Sequence, residues 1–244
     1  MIRVGVFGAA GKVGQAVCAA VHADPELELV GSVDPHGEQC ASAPDGIDAD
    51  VWVDFTVLEA ARKNVEWCAV NGVHAVVGTT GFNDADIARF REMFSSSNCL
   101  IAPNFAIGAL LMMKFAELAA PWFESAEIIE LHHDTKADAP SGTAIQTAKR
   151  MAAASSEWSE DPTKTEVVHG ARGGVGPAGI HMHSVRMRGM IAHQEVLLGT
   201  TGQSLTIRHD SYDRSSFMPG VILGCKRIAD HPGVTLGLDV LLGL

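Results

Sequence analysis

Residues Ile2 to Gly14 read I-R-V-G-V-F-G-A-A-G-K-V-G, a continuous apolar run followed at once by glycines in G-x-x-G-x-x-G spacing. The run Ile2–Phe7 has the length and composition of a strand buried on both faces, as in a parallel sheet. A helical pattern begins at Lys12 and continues to about Ala23. Between the two, Gly8, Gly11 and Gly14 let the backbone turn tightly and approach a pyrophosphate held at the helix N-terminus. The spacing departs from the commoner G-x-G-x-x-G, so the surrounding elements carry the inference. A second strand, Leu27 to Val33, ends at Asp34, twenty residues beyond Gly14, where a carboxylate can hold ribose hydroxyls. Strand, glycine turn, helix and acid together predict a dinucleotide site.

Outward from this unit, strand-like runs recur at Val51 to Phe55, His74 to Val77 and Cys99 to Ala102, separated by helical patterns near Leu58 to Val70 and Asp84 to Phe94. Strands alternating with helices predict an α/β fold with a doubly wound, Rossmann-like parallel sheet. Gly78-Thr79-Thr80 and Ala102-Pro103-Asn104-Phe105 each follow a strand, at the carboxyl ends where open α/β sheets bind ligands. Past Asn104 the rhythm changes. A helix near Ile107 to Ala120 precedes a strand ending at His132-His133, a helix opened by Ser141, and a glycine-rich loop from Gly170 to Gly179. Long alternating strands follow at His181 to Arg188, Ala192 to Gly199 and Ser204 to His209. The last two are joined by the hairpin signal T-T-G-Q, so this half is expected to be an α+β domain with a mainly antiparallel sheet. The apolar helix Phe217 to Ala229 and the tail Val234 to Leu242 are too little to form a core alone and are expected to return to the first domain. The boundaries drawn are 1–105 with 216–244 for the dinucleotide domain, and 106–215 for a substrate-binding and oligomerisation domain.

The densest chemistry lies in E-L-H-H-D-T-K-A-D-A-P-S-G-T-A, Glu130 to Ala144. His132 and His133 end an alternating strand, where successive side chains face opposite ways and take different roles. Lys136 follows in a loop. Ser141 is placed to cap the next helix, leaving the Gly142, Thr143 and Ala144 amides for a carboxylate or phosphate. In a chain of formal net charge −11, three basic side chains beside a helix start make a local anion site on an acidic molecule.

This segment resembles the signature of the dihydrodipicolinate reductase family, the 4-hydroxy-tetrahydrodipicolinate reductases of the diaminopimelate route to lysine. The resemblance extends to G-A-A-G-K-V-G at Gly8 to Gly14, G-T-T-G at Gly78 to Gly81, A-P-N-F at Ala102 to Phe105, A-H-Q-E-V at Ala192 to Val196 and R-H-D-S-Y-D-R at Arg208 to Arg214. It implies reduction of a small cyclic dicarboxylate by NADH or NADPH. It further implies acid roles for His132 and Lys136, substrate-carboxylate contacts from His133, Gly142 and Thr143, and a homotetramer. Candidate cofactor contacts are Gly8, Ala9, Ala10, Gly11, Lys12, Val13 and Asp34, with Gly78, Thr79, Thr80, Ala102, Pro103, Asn104 and Phe105 expected at the nicotinamide end. Hydride arriving at one carbon requires a proton at its neighbour, which a histidine or lysine can supply. The residues leave open how the proton is divided between His132 and Lys136.

Composition narrows the alternatives. The hydrophobic fraction of 47% supplies a real core, and acidic charge with few aromatics argues against nucleic acid. Five scattered cysteines without C-x-x-C spacing suggest neither a disulfide framework nor a thiolate metal site and fit a reducing cytoplasm. The first strand begins at Ile2, without room for a signal peptide, and the longest apolar stretch is interrupted by Pro103, Asn104, Lys114 and Glu117, unlike a membrane span. A short-chain dehydrogenase needs Tyr-x-x-x-Lys, but the only tyrosine, Tyr212, has Ser216 at that spacing. A phosphorylating aldehyde dehydrogenase needs a nucleophilic cysteine, and no cysteine here has a telling local context. A nucleotide sensor without turnover would need Gly8 to Asp34 but not His132 with Lys136. His181-x-His183 is read as sheet-surface histidines rather than metal ligands. Arg186, Arg188 and Arg208 are read as solvated or interface side chains, and Glu195 as part of an interface or a network. Asp34 is followed by Pro35-His36-Gly37, and Lys12 is the only nearby basic side chain, so NADH is expected to serve at least as well as NADPH.

Overall fold

The computed structural model describes residues 1–244. The chain forms two compact units, residues 1–107 with 214–244, and 108–213. In the first, β1 (Ile2–Phe7), α1 (Lys12–Ala23), β2 (Leu27–Val33), β3 (Val51–Asp54), α2 (Leu58–Val70), β4 (His74–Val77), α3 (Asp84–Met93) and β5 (Asn98–Ile101) follow in order. All neighbouring strands of this sheet run parallel, with β1 between β2 and β3. The chain leaves β1 toward β2 and then crosses to β3 on the other side, so the strand order reverses at β1. In an open α/β sheet that reversal opens a crevice at the carboxyl ends of the strands. The central strands β1, β3 and β4 are buried, as expected of a parallel sheet covered by helices: Val4, Val6, Val51, Val53, Val76 and Val77 are all inaccessible or nearly so. Trp52 is fully buried, stacked on Phe7 with ring centroids 4.4 Å apart. Each large apolar side chain buried this way contributes about 1.5–3 kcal/mol.

The second unit begins within α4 (Ile107–Ala119) and continues through β6 (Ser125–His132), α5 (Gly142–Ala154), β7 (Gly174–Val175), β8 (His181–Arg186), β9 (Ala192–Thr200) and β10 (Gln203–Ser211). Its sheet has the order β10-β9-β6-β8-β7. Every pairing is antiparallel except β6 with β8. The sheet is therefore mixed, and β6, the histidine strand, lies at its centre with β8 and β9 on either side. That centrality was not legible in sequence, because β8 and β9 are successive in the chain yet do not pair. Along β6, Ile128 and Glu130 are fully buried on one face, with Ala144, Thr147, Ala148 and Met151 of α5 also buried. Ile128, Ala144, Ala148 and Met151 belong to one apolar cluster. Glu127, Ile129 and Leu131 point to the other face and are only partly buried. The alternation is what a sheet covered on one side requires.

The chain then returns to the first unit as α6 (Met218–Arg227), β11 (Gly233–Leu236) and α7 (Asp239–Leu242). β11 adds to the edge of the parallel sheet beside β5. Asn98 fastens this return, its side-chain amide donating to the carbonyls of Ile228 and Ala229 and its oxygen accepting from the Gly233 amide. No helix is long and apolar enough to cross a membrane.

Candidate functional site

In the first unit the glycine turn has the geometry that a phosphate cradle needs. Gly8 has φ +70°, a backbone that disfavours side chains, and a Cβ on Gly14 would lie 2.0 Å from the Gly8 carbonyl oxygen. Gly11 caps α1 without any side-chain hydrogen bond, and the first turn of α1 holds no acid. The amides at this helix start are therefore open to an anion. Those of Ala9, Ala10 and Gly11 are not: they are donated to the Val33 carbonyl, to Asp34 Oδ2 and to the Gly8 carbonyl. Asp34 Oδ1 accepts from the His36 amide at 2.9 Å. Asp34 thus ties the glycine loop to the end of β2, and each of its oxygens keeps a lone pair for a ribose hydroxyl.

An open groove runs along this end of the sheet, lined by Gly8, Gly11, Asp34, Thr56, Ala60 and Lys63 among others. Lys63, on α2, corrects the expectation that Lys12 is the only basic side chain near the ribose position. Thr56, Ala60 and Lys63 went unnoticed in sequence because their relevance comes from topology, which sets β3 and the start of α2 beside β1. Beneath the groove Asp54 is nearly inaccessible and accepts from the Thr56 amide and hydroxyl, from Asn64 Nδ2 and from Thr79 Oγ1 at 2.7 Å. The Thr79 hydroxyl is thereby committed to internal structure. Ala102 and Phe105 are buried, Phe105 against Phe55, and Asn104 Oδ1 accepts from the Ala106 amide. Thr80 and Pro103 are exposed, and Gly78 is partly so. The glycine turn, the free helix start and the acid fit a dinucleotide.

In the second unit β6 delivers His132 to a site built around one carboxylate. Glu130, fully buried, accepts from His132 Nδ1 at 2.5 Å, from Arg186 Nη1 and Nη2 at 2.9 and 2.8 Å, and from the Ser141 amide at 3.1 Å. Arg186 is not the solvated side chain its alternating strand suggested. It stands opposite His132 in the β6–β8 register, and its Nη2 also donates to the Asp138 carbonyl at 2.7 Å. Burial pushes the Glu130 carboxyl up, but hydrogen bonds from Arg186, Ser184 and His132 outweigh it and hold Glu130 below its ordinary value. Burial lowers His132 below the ordinary histidine value, with Glu130 opposing and the charges of Lys136 and Arg186 assisting.

Lys136 Nζ pairs with Asp138 Oδ1 at 2.6 Å, and Asp138 is largely exposed. Asp138 is held below the usual carboxylate range chiefly by that hydrogen bond. His133 lies just past the strand and is exposed, its Nδ1 within 2.7 Å of Thr135 Oγ1. Ser141 caps α5 through its hydroxyl, which accepts from the Ala144 amide, so of the three amides expected to be free only those of Gly142 and Thr143 remain so. A second line of hydrogen bonds holds this helix turn from below: Gln194 Nε2 donates to Thr147 Oγ1, which donates to the Thr143 carbonyl. Within A-H-Q-E-V it is thus Gln194 that supports the site, while Glu195 pairs with Arg208. The arrangement presents an imidazole, an ammonium group and two unpaired helix amides, the set needed to hold a carboxylate and deliver a proton.

Other polar residues have structural partners. His181 Nδ1 lies 2.7 Å from the Arg172 carbonyl and His183 Nε2 2.6 Å from Glu127. His181 is buried rather than on the sheet surface. Arg188 pairs with Asp134 and is largely exposed. Cys68, Cys99 and Cys225 are buried, and burial pushes all three thiols up, away from the reactive thiolate.

Family models described as dihydrodipicolinate reductase, N-terminus, and dihydrodipicolinate reductase, C-terminus, match residues 2–105 and 108–242. The chain belongs to the dihydrodipicolinate reductase family. Over 250 residues it is 52% identical to the 4-hydroxy-tetrahydrodipicolinate reductase of Corynebacterium urealyticum, covering 100% of both chains. It is 53% identical to the corresponding reductase of Nocardia farcinica, covering 100% of this chain and 99% of that one. A solved structure of dipicolinate-bound dihydrodipicolinate reductase from Paenisporosarcina sp. TG-14 superposes with a TM-score of 0.88 at 40% identity, covering 98% of this chain and 99% of that one. The dihydrodipicolinate reductase family models divide at 105/108, and the two compact units divide at 107/108.

Proposed function

We propose that the chain reduces 4-hydroxy-tetrahydrodipicolinate to tetrahydrodipicolinate, with His132 and Lys136 handling the proton and His133, Gly142 and Thr143 holding a substrate carboxylate. The observation that carries this reading is the placing of a buried-edge imidazole and two acceptor-free helix amides in the unit that matches the family's C-terminal model. Loss of the 4-hydroxyl as water, hydride addition and protonation of the neighbouring carbon balance the reaction. A reduced nicotinamide, when bound, supplies the hydride. The helix amides neutralise a carboxylate without a side-chain base that would compete for the proton. Lys136, paired only with the exposed Asp138, can exchange that carboxylate for one of an anionic substrate. The test generates the unstable substrate in situ from pyruvate and aspartate semialdehyde with the upstream synthase and follows nicotinamide absorbance. No oxidation above the enzyme-free control overturns the assignment.

Both nicotinamide cofactors are accepted, with NADH at least as effective as NADPH. Asp34 repels a 2′-phosphate, and Lys12 and Lys63 partly offset it. Lys12→Ala and Lys63→Ala should each lower kcat/KM for NADPH about two- to fivefold more than for NADH, the size expected of one exposed charge pair. Steady-state comparison decides it. A hundredfold preference of the wild type for NADPH contradicts the proposal, and equal losses on both cofactors move the lysine concerned to the pyrophosphate.

The enzyme is further proposed to act as a homotetramer assembled on the second sheet. Ile129, Leu131 and Leu197 on its outward face are only partly buried within one chain. Light scattering at micromolar concentration should return about four times the 25.8 kDa chain mass. A monomer mass refutes the assembly.

A further inference from the structure

Glu130 has no place in the proton or carboxylate roles assigned above, yet it is among the most completely buried polar residues of the second unit. Its oxygens are filled by donors that leave no choice of sign. Arg186 and the Ser141 amide can only donate, so the carboxylate acts as acceptor throughout, and the proton shared with His132 resides on Nδ1. In the neutral imidazole Nε2 is then bare, and a second proton, when taken up, is carried there. Arg186 extends the arrangement to Lys136, because the Nη2 that binds Glu130 also binds the Asp138 carbonyl, two residues beyond Lys136. The Ser141 amide brings in the start of α5.

We propose that Glu130 and Arg186 are the positioning pair of the reduction: Glu130 fixes His132 as the Nδ1–H tautomer so that the transferable proton leaves from Nε2, and Arg186 docks the Lys136 loop on the same carboxylate. The proposal rests on His132 acting as the acid. Glu130 acts through His132 and touches no substrate. Its effect parallels that of carboxylates that orient a histidine ligand or general base, where loss of the partner typically costs ~10–10² in function.

The charged groups facing His132 are Glu130, Lys136 and Arg186. Glu130 alone favours the imidazolium, so its neutralisation lowers the pH at which His132 loses its proton. In Glu130→Gln, kcat should fall ~10–10²-fold with a smaller change in substrate KM, and the alkaline fall of kcat/KM should move to lower pH. Glu130→Asp should restore the position of that fall and part of the turnover. A folded Glu130→Gln enzyme with wild-type turnover and an unmoved pH profile overturns the proposal. Because Glu130→Gln strands Arg186 and can fail to fold, the wild-type enzyme gives the second readout. Long-range ¹H–¹⁵N spectra of labelled histidine, with His132 assigned by its absence in His132→Gln, should show Nδ1–H at alkaline pH, and an Nε2–H signal overturns the assignment. Full activity in His132→Gln would instead defeat the acid reading, while the tautomer spectrum still reports on Glu130 by itself.

Discussion

His132→Gln and Lys136→Ala should each lower turnover with 4-hydroxy-tetrahydrodipicolinate by ~10²–10⁴, the range of a lost general acid, with cofactor affinity little changed. Both side chains belong to the second unit, whereas the glycine turn and Asp34 belong to the first, so nucleotide binding measured by fluorescence titration should survive. The pH dependence has a defined sign. His132 is held below the ordinary histidine value first by burial and then by the charges of Lys136 and Arg186, with Glu130 opposing. A histidine acting as acid works only while protonated, so activity should decline as pH rises through a value below that of a free histidine. In Lys136→Ala one lowering charge is removed, and the surviving activity should decline at higher pH than in the wild type. Near wild-type turnover in either variant would remove that residue from the proton path.

Gly142→Val separates binding from folding. A Cβ at Gly142 meets no heavy atom within 4 Å, and the position lacks the positive φ that would strain a side chain. Valine at the first helical residue should therefore leave thermal stability almost unchanged, apart from a few tenths of a kcal/mol of helix propensity. The same open space is where a carboxylate must approach the Gly142 and Thr143 amides. Charge-assisted hydrogen bonds of this kind contribute about 1.5–3 kcal/mol, so substrate KM and the inhibition constant of a planar pyridine dicarboxylate should rise ~10–10²-fold. Thr143→Ala should follow in the same direction with a smaller effect. Equal inhibition of wild type and Gly142→Val, with both folded, would mean that the carboxylate binds elsewhere.

Residues 2–34 were enough for the glycine turn, because a backbone at φ +70° selects glycine, and the alternation of apolar strands with helices out to Ala102 was enough for the parallel sheet. Local rules also placed Ser141 as the cap of α5 and Thr201-Gly202 in the turn between β9 and β10, since each depends on a few adjacent residues. What sequence reading missed is non-local. Arg186 looks like any outward-facing strand arginine until β8 is set beside β6, which puts it opposite His132 and lets it donate two hydrogen bonds to Glu130, 56 residues away in the chain. Lys63 and Thr56 reach the cofactor groove only because the strand order reverses at β1. Gln194 outranks its neighbour Glu195 only because α5 covers one face of the sheet and leaves the other open. Sequence specifies turns, caps and apolar periodicity because these are decided within a few residues. Strand register and sheet order are fixed by the packing of the whole unit, and here they decide which carboxylate orients which histidine.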